Sequence, residues 1–278
     1  MSAATCRIGM IVPSSNLTME TELPALLRRH EDTNAERHFT FHSSRMRLKH
    51  VTPEALRAMN AETDRCAAEL ADTGCDLVAT ACLVAIMAQG AGFHCEAERQ
   101  IADALAAEGH QAPVVSSAGA LIHALEAVGA RRVALVTPYS RPLTELVAAY
   151  IEQSGINVAD TVSLEVTDNL EVAQLDPSDL IEHAKRLDLG GCDALVLSAC
   201  VQMPSLPAIA EAETRYGIPV LSAATATTYC ILRALGLPTR IPEAGLLLGG
   251  AIDANGGARR SGEHLVVRAR AEGGGASA

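Results

Sequence analysis

Two short stretches put a thiol in matching surroundings: "TACLVA" from Thr80 to Ala85 and "SACVQM" from Ser198 to Met203. In each, a small hydroxyl residue and an Ala precede the Cys. Each follows a Gly-Cys-Asp lead-in and a buried-strand run, "GCDLVA" from Gly74 and "GCDALVL" from Gly191. A thiol placed where a strand turns toward a helix meets N–H groups and a dipole that favour thiolate. Thiolate is both a nucleophile and a proton acceptor. Two of them facing one small molecule can pass a proton across one carbon, or one can add while the other protonates. Cys82 and Cys200 are therefore the candidate catalytic pair. Cys75 and Cys192 also repeat, but they precede their strands and belong to the opposite edge. With Cys6, Cys66, Cys95 and Cys230 they read as small buried hydrophobes.

The polar residues expected at the same edge suggest what is bound. "PSSN" offers Ser14, Ser15 and Asn16, with Thr18 close behind; "TPYS" offers Tyr139 and Ser140; "TDNLEV" offers Asn169. These are neutral donors suited to carboxylate oxygens in a closed site. No Gly-x-Gly-x-x-Gly phosphate fingerprint is present, so no nucleotide cofactor is expected. No Cys-x-x-Cys pair with suitably spaced His suggests a metal site.

Six apolar runs must position these residues. Strands are expected near Arg7–Val12, Leu77–Thr80 and Pro113–Ser116, then near Arg132–Thr137, Ala194–Ser198 and Pro219–Ser222, alternating with amphipathic segments in the α/β manner. "RIGMIVPSS" corresponds to "RVALVTPYS", "GCDLVATAC" to "GCDALVLSAC" and "APVVSSA" to "IPVLSAA", all in the same order. This pattern predicts an internal duplication: an α/β fold of two similar lobes, parallel sheets flanked by helices, related by a pseudo-two-fold. Ligands of open α/β sheets bind beyond the carboxyl ends of the strands, so both thiols would face one cleft between the lobes. The expected division is residues 1–117 plus about 224–278 for the first lobe and 118–223 for the second. A helix is expected from Thr52, its N-cap, through Pro53 to Gly74. A second is expected from an Asp176 cap through Pro177 to Gly190. "HSSRMRLKHVTPE" is expected to be surface loop near the cleft, and the tail "AEGGGASA" to be disordered.

Bulk composition narrows the class. Net charge is −11, which argues against nucleic acid or an anionic membrane as partner. No apolar run reaches the roughly 18 residues of a membrane span. The N-terminus lacks a signal-peptide layout, so a cytoplasmic location with reduced thiols is expected. Three readings stay open on the residues alone: an isomerase or racemase using paired thiols, and a two-lobed dicarboxylate-binding protein without chemistry.

"IGMIVPSSNLTMETELP", "TACLVAIMAQG", "VTPYS" and "SACVQMPSL" resemble the maleate cis-trans isomerases of the aspartate/glutamate racemase superfamily, over Arg7 to about Asp253. Racemases usually carry a glycine-rich loop where "PSSN" stands, and arylmalonate decarboxylases keep one of the two cysteines. The resemblance implies Cys82 as nucleophile and Cys200 as acid/base partner, with no cofactor. It implies Asn16, Tyr139 and Asn169 as carboxylate binders, helped by backbone N–H groups of Leu83, Val84, Val201 and Gln202. It further implies a homodimer and a place in aerobic nicotinate breakdown. Leu17 departs from the family pattern, where Thr is expected.

Overall fold

A computed structural model describes residues 4–250 and residue 252. The chain forms two four-stranded sheets. The first contains β1 (Ala4–Pro13), β2 (Arg37–Met46), β3 (Leu77–Thr80) and β4 (Val114–Ser116) in the order β2-β1-β3-β4. The second contains β5 (Arg132–Thr137), β6 (Asn157–Ser163), β7 (Ala194–Ser198) and β8 (Val220–Ser222) in the order β6-β5-β7-β8. All pairings are parallel. The shared strand order is what a duplicated unit produces. Buried runs such as "LVAT" and "ALVLS" fit strands covered by helices on both faces.

The repeated motifs prove to be hinges of this frame. In each Gly-Cys-Asp, the Asp accepts from backbone N–H groups of the strand beside it or of the residue before that strand. Asp76 accepts from Arg7 N–H at 2.7 Å and Asp193 from Arg131 and Arg132 N–H at 2.9 Å. Cys75 packs against Gly9, where a Cβ would stand 2.9 Å from its Sγ. Ser116 and Ser222 end the last strand of each sheet and cap the helix that follows.

The helices of the first half are α1 (Met19–Thr33), α2 (Pro53–Asn60), α3 (Thr63–Ala71), α4 (Leu83–Met87), α5 (Phe93–Ala107) and α6 (Ser117–Ala127). Those of the second are α7 (Arg141–Gln153), α8 (Asn169–Ala173), α9 (Asp179–Ala184), α10 (Leu206–Tyr216) and α11 (Ala223–Ala234). The last helix, α11, returns to pack on α6 and α1.

Four expectations are corrected. Each sheet has a strand that the alternation did not reveal: "RHFTFHSSRM" forms β2, so the first part of the anticipated loop is sheet. The outer strand β6 is partly exposed along most of its length and carries Asn, Asp and Thr, which hides its apolar signal. The long helix from Thr52 breaks at Ala61–Glu62 into α2 and α3, although Thr52 does cap its start, accepting from Ala55 N–H. Asp176 does not cap a helix: its carboxylate accepts from Ser178 N–H and Oγ–H, and α9 begins only at Asp179 and ends at Ala184. Cys95 is exposed rather than buried, and Cys230 is half-buried. The tail "AEGGGASA" lies outside the described residues.

Candidate active site

Both thiols are presented by the same device. Ala81 N–H donates to Ile11 O at 2.9 Å, and Ala199 N–H donates to Val136 O at 3.1 Å. The residue before each Cys is thus pinned to the central strand of its sheet. Cys82 is the N-cap of α4 in extended backbone; its side chain makes no capping hydrogen bond, but the Ala85 and Val84 N–H groups lie on the side that lowers its pKa. Cys200 differs from expectation: it enters a turn, not a helix, and α10 starts only at Leu206. Its Sγ receives Gln202 N–H at 3.4 Å.

Burial dominates the electrostatics. It pushes the Cys82 thiol up to about 12, and the nearby Cys200 pushes the same way, while the two N–H groups only partly offset them. The Cys200 thiol is raised by burial too, against the opposing bonds from Tyr139 and the Gln202 and Met203 N–H groups. The helix-dipole expectation of a ready thiolate is therefore overturned by desolvation: the unliganded pair is a pair of neutral thiols at pH 7. Tyr139 is buried, donates to Ala199 O at 3.3 Å and lies against Cys200; burial, then the two thiols, hold its phenol protonated.

The other candidate residues form a cross-lobe network beside the thiols. Asn16 is fully buried; its Nδ2 donates to Val201 O at 3.4 Å and its Oδ1 accepts from Met19 N–H. Asn169 Nδ2 donates to Ser15 Oγ at 2.9 Å. Ser15 Oγ–H donates to Leu48 O at 2.6 Å, and Ser14 exchanges bonds with the Leu48 backbone. The segment after β2 spans the lobes, with Asn169 N–H on Lys49 O and Val51 N–H on Thr167 O, both at 3.3 Å. Leu83, Val84 and Val201 are buried at the two Cys turns.

Three residues matter that the sequence did not single out in these roles. The Gln202 side chain, not only its N–H, is a clamp: Nε2 donates to Ser15 O and Asn169 O, and Oε1 accepts from Leu17 and Thr18 N–H. Thr18 Oγ–H returns a bond to Gln202 O at 2.7 Å. Glu22 accepts from Ser205 and Leu206 N–H across the lobes. No pattern in one sequence flags such long-range partners.

An amino-acid substrate would need a carboxylate for its ammonium. The three acidic side chains at this edge are committed elsewhere: Glu20 to Arg45, Glu22 to the start of α10, and Asp168 to the N-terminus of α8 and His50. Arg45 also donates to Ser14 O and Asn16 O, so it braces the loop rather than standing free in solvent. Leu17, the departure from the family pattern, is 47% exposed, so its side chain points away from this network. Among the described residues, no cluster of His, Cys, Asp and Glu could hold a metal ion, and no helix is long and apolar enough to cross a membrane.

The two parallel-sheet lobes agree with the class: the arylmalonate decarboxylase family model matches residues 8–248, and the chain belongs to that family. Its relatives narrow this. It is 57% identical over 244 residues to the maleate isomerase of Geobacillus stearothermophilus, covering 88% of this chain and 97% of that one. A variant of the maleate isomerase of Pseudomonas putida S16, solved with maleate, superposes with TM-score 0.87 at 51% identity, over 89% of this chain and 99% of that one. A Cys-to-Ser variant of Nocardia farcinica maleate cis-trans isomerase carries a covalently bound succinylcysteine intermediate. It superposes with TM-score 0.85 at 53% identity, over 88% of this chain and 98% of that one. Within the family, the chain belongs with the maleate isomerases.

Proposed function

We propose that this enzyme converts maleate to fumarate using its own two thiols. The observation that carries the reading is the pairing of Cys82 and Cys200, each delivered just after an Ala pinned to the neighbouring strand of its sheet, with Cys200 near enough to raise the Cys82 thiol. A carbon–carbon double bond does not rotate. Cys82 first loses its proton to solvent; as thiolate it adds to one olefinic carbon, and Cys200 S–H gives its proton to the other. The bond is then single and turns. Cys200 thiolate takes a proton back, the carbon–sulfur bond breaks, Cys82 leaves as thiolate and fumarate departs. No electron or atom is left over. The succinylcysteine of the Nocardia farcinica relative supports a covalent bond between substrate and cysteine on the way.

Negative charge grows on a substrate carboxylate as the C–S bond forms. Fixed N–H donors aimed at such charge are worth about 3 kcal/mol each in comparable sites. On this reading the N–H groups of Leu83, Val84, Val201 and Gln202, with Asn16, Asn169 and Tyr139, supply them; Ser14 and Ser15 brace the loop. The division into residues 1–117 plus about 224–278 and residues 118–223 is supported by the packing of α11 on α1, β3 and β4 of the first lobe. The resemblance supports a cytoplasmic homodimer that serves nicotinate breakdown.

Proton NMR of the purified protein with maleate tests the proposal. The fumarate vinyl signal should appear, and Cys82→Ser should abolish it. Cys200→Ala should leave a maleate-derived mass on Cys82. An unchanged maleate signal, with arylmalonate consumed instead, would assign the site to decarboxylation.

A further inference from the structure

Glu22 lies one helical turn beyond Thr18 on α1. It is 7% exposed, and three donors from the other lobe hold it. Ser205 N–H and Leu206 N–H both donate to Oε1 at 2.6 Å, and Ser205 Oγ–H donates to Oε2 at 3.1 Å. Ser205 is the N-cap of α10 and Leu206 its first residue, and no local side chain caps this helix. A helix usually takes its cap from the residue before it. Here the capping carboxylate is non-local, and its charge suits the helix N-terminus.

The capped end is the far end of the Cys200 turn. Between them the chain is tight: Ser198 Oγ–H donates to Cys200 O at 3.0 Å and to Met203 O at 3.1 Å, and Gln202 N–H reaches Cys200 Sγ. Thr18 Oγ–H grips the middle of the same turn at Gln202 O. One face of α1 therefore holds the turn at two points. A cap from within α10 would steady that helix but leave the far end of the turn without its own tie to the first lobe.

We propose that Glu22 is a positioning residue for Cys200, fixing the acid/base thiol against the first lobe and so against Cys82. The proposal rests on the thiol-pair mechanism. Glu22 touches no reacting atom; it sets where one of them stands. Displacement of a catalytic group by about 1 Å costs on the order of 100-fold in rate.

The test uses the full chain carrying Glu22→Gln, with Glu22→Asp beside it. Steady-state kinetics with maleate are combined with iodoacetamide alkylation of each cysteine, read by peptide mass spectrometry. Glu22→Gln should lower kcat by roughly 10- to 100-fold and leave KM within about threefold. Its Cys200 should alkylate at least about fivefold faster, in line with a released turn, while Cys82 keeps the parent rate. Glu22→Asp retains the charge and should recover part of kcat. If Glu22→Gln does not fold, the Glu22→Asp variant carries the same alkylation comparison, and faster Cys200 labelling alone supports the proposal. Equal acceleration at both cysteines, tracking a lower melting temperature, would reduce Glu22 to a structural cap. Unchanged kcat and labelling would overturn the role outright. A parent without isomerase activity would refute the mechanism instead, and the labelling would still report on the positioning.

Discussion

Gln202→Glu changes one atom type in the clamp between the lobes, and its cost can be worked from the hydrogen bonds. Gln202 is buried, with Nε2 at 2.8 Å from Ser15 O and 2.7 Å from Asn169 O. A carboxylate would place an oxygen where two carbonyl oxygens converge. The folded protein must then protonate that group, which satisfies one carbonyl and leaves the other unpaired. Protonating a Glu of ordinary pKa about 4.3 at pH 7 costs roughly 4 kcal/mol. The lost bond adds about 1 kcal/mol. The folded pKa is raised above the unfolded one, so the penalty is smallest at low pH and grows as pH rises through the unfolded value. From pH 7 to pH 5 the deficit should shrink by about 2.7 kcal/mol, or about 1.4 kcal/mol per unit for one proton. Urea unfolding of parent and variant at pH 5, 6 and 7 measures this directly. A deficit below about 1 kcal/mol at pH 7, or one independent of pH, would refute the clamp geometry.

Four further outcomes follow from the structure. Because burial raises Cys82 to about 12, its alkylation in the unliganded protein should climb about tenfold per pH unit from 7 to 10, since only thiolate reacts; a plateau near pH 9 would show that its N–H donors outweigh burial. The raised thiols favour the neutral form in the fold, so stability should be full below the ordinary thiol pKa of 9.0 and fall above it, as alkaline melting curves would show. Tyr139→Phe removes the hydroxyl between Ala199 O and Cys200 and should lower kcat by about 10- to 100-fold in the maleate assay while costing about 1 kcal/mol of stability in urea. Gly9→Ala puts a Cβ 2.9 Å from Cys75 Sγ and should cost about 1–3 kcal/mol by denaturant titration, less when Cys75 is also made Ala.

What was legible in the sequence is what the duplication wrote twice. The central and inner strands of each sheet, the two Cys turns and the shared cleft edge all sit inside repeated motifs. Those motifs serve contacts within one lobe: Asp76 with Arg7, and Asp193 with Arg132, hold neighbouring strands. The outer strands β2 and β6 carry no matching pair and little apolar alternation, so they were not seen. Contacts between the lobes were equally hidden. Gln202 meets Thr18, and Glu22 meets Ser205, each across more than 180 residues of chain. A repeat cannot announce such partners, because each lobe writes only its own half of the contact.

This division bears on how the site works. Each lobe alone delivers a thiol but fixes it only with respect to its own sheet. The unrepeated residues Asn16, Thr18, Glu22, Asn169 and Gln202 join the lobes through neutral amides, one hydroxyl and one capped carboxylate. Free charge is nearly absent from this joint. In a cleft that desolvates both thiols, an additional unpaired carboxylate would oppose thiolate formation and the entry of an anion alike. Placing Glu22 on the N–H groups of α10 keeps its charge useful and away from the reacting pair. The chemistry therefore belongs to the repeated part of the chain, and its alignment to the part that the two halves do not share.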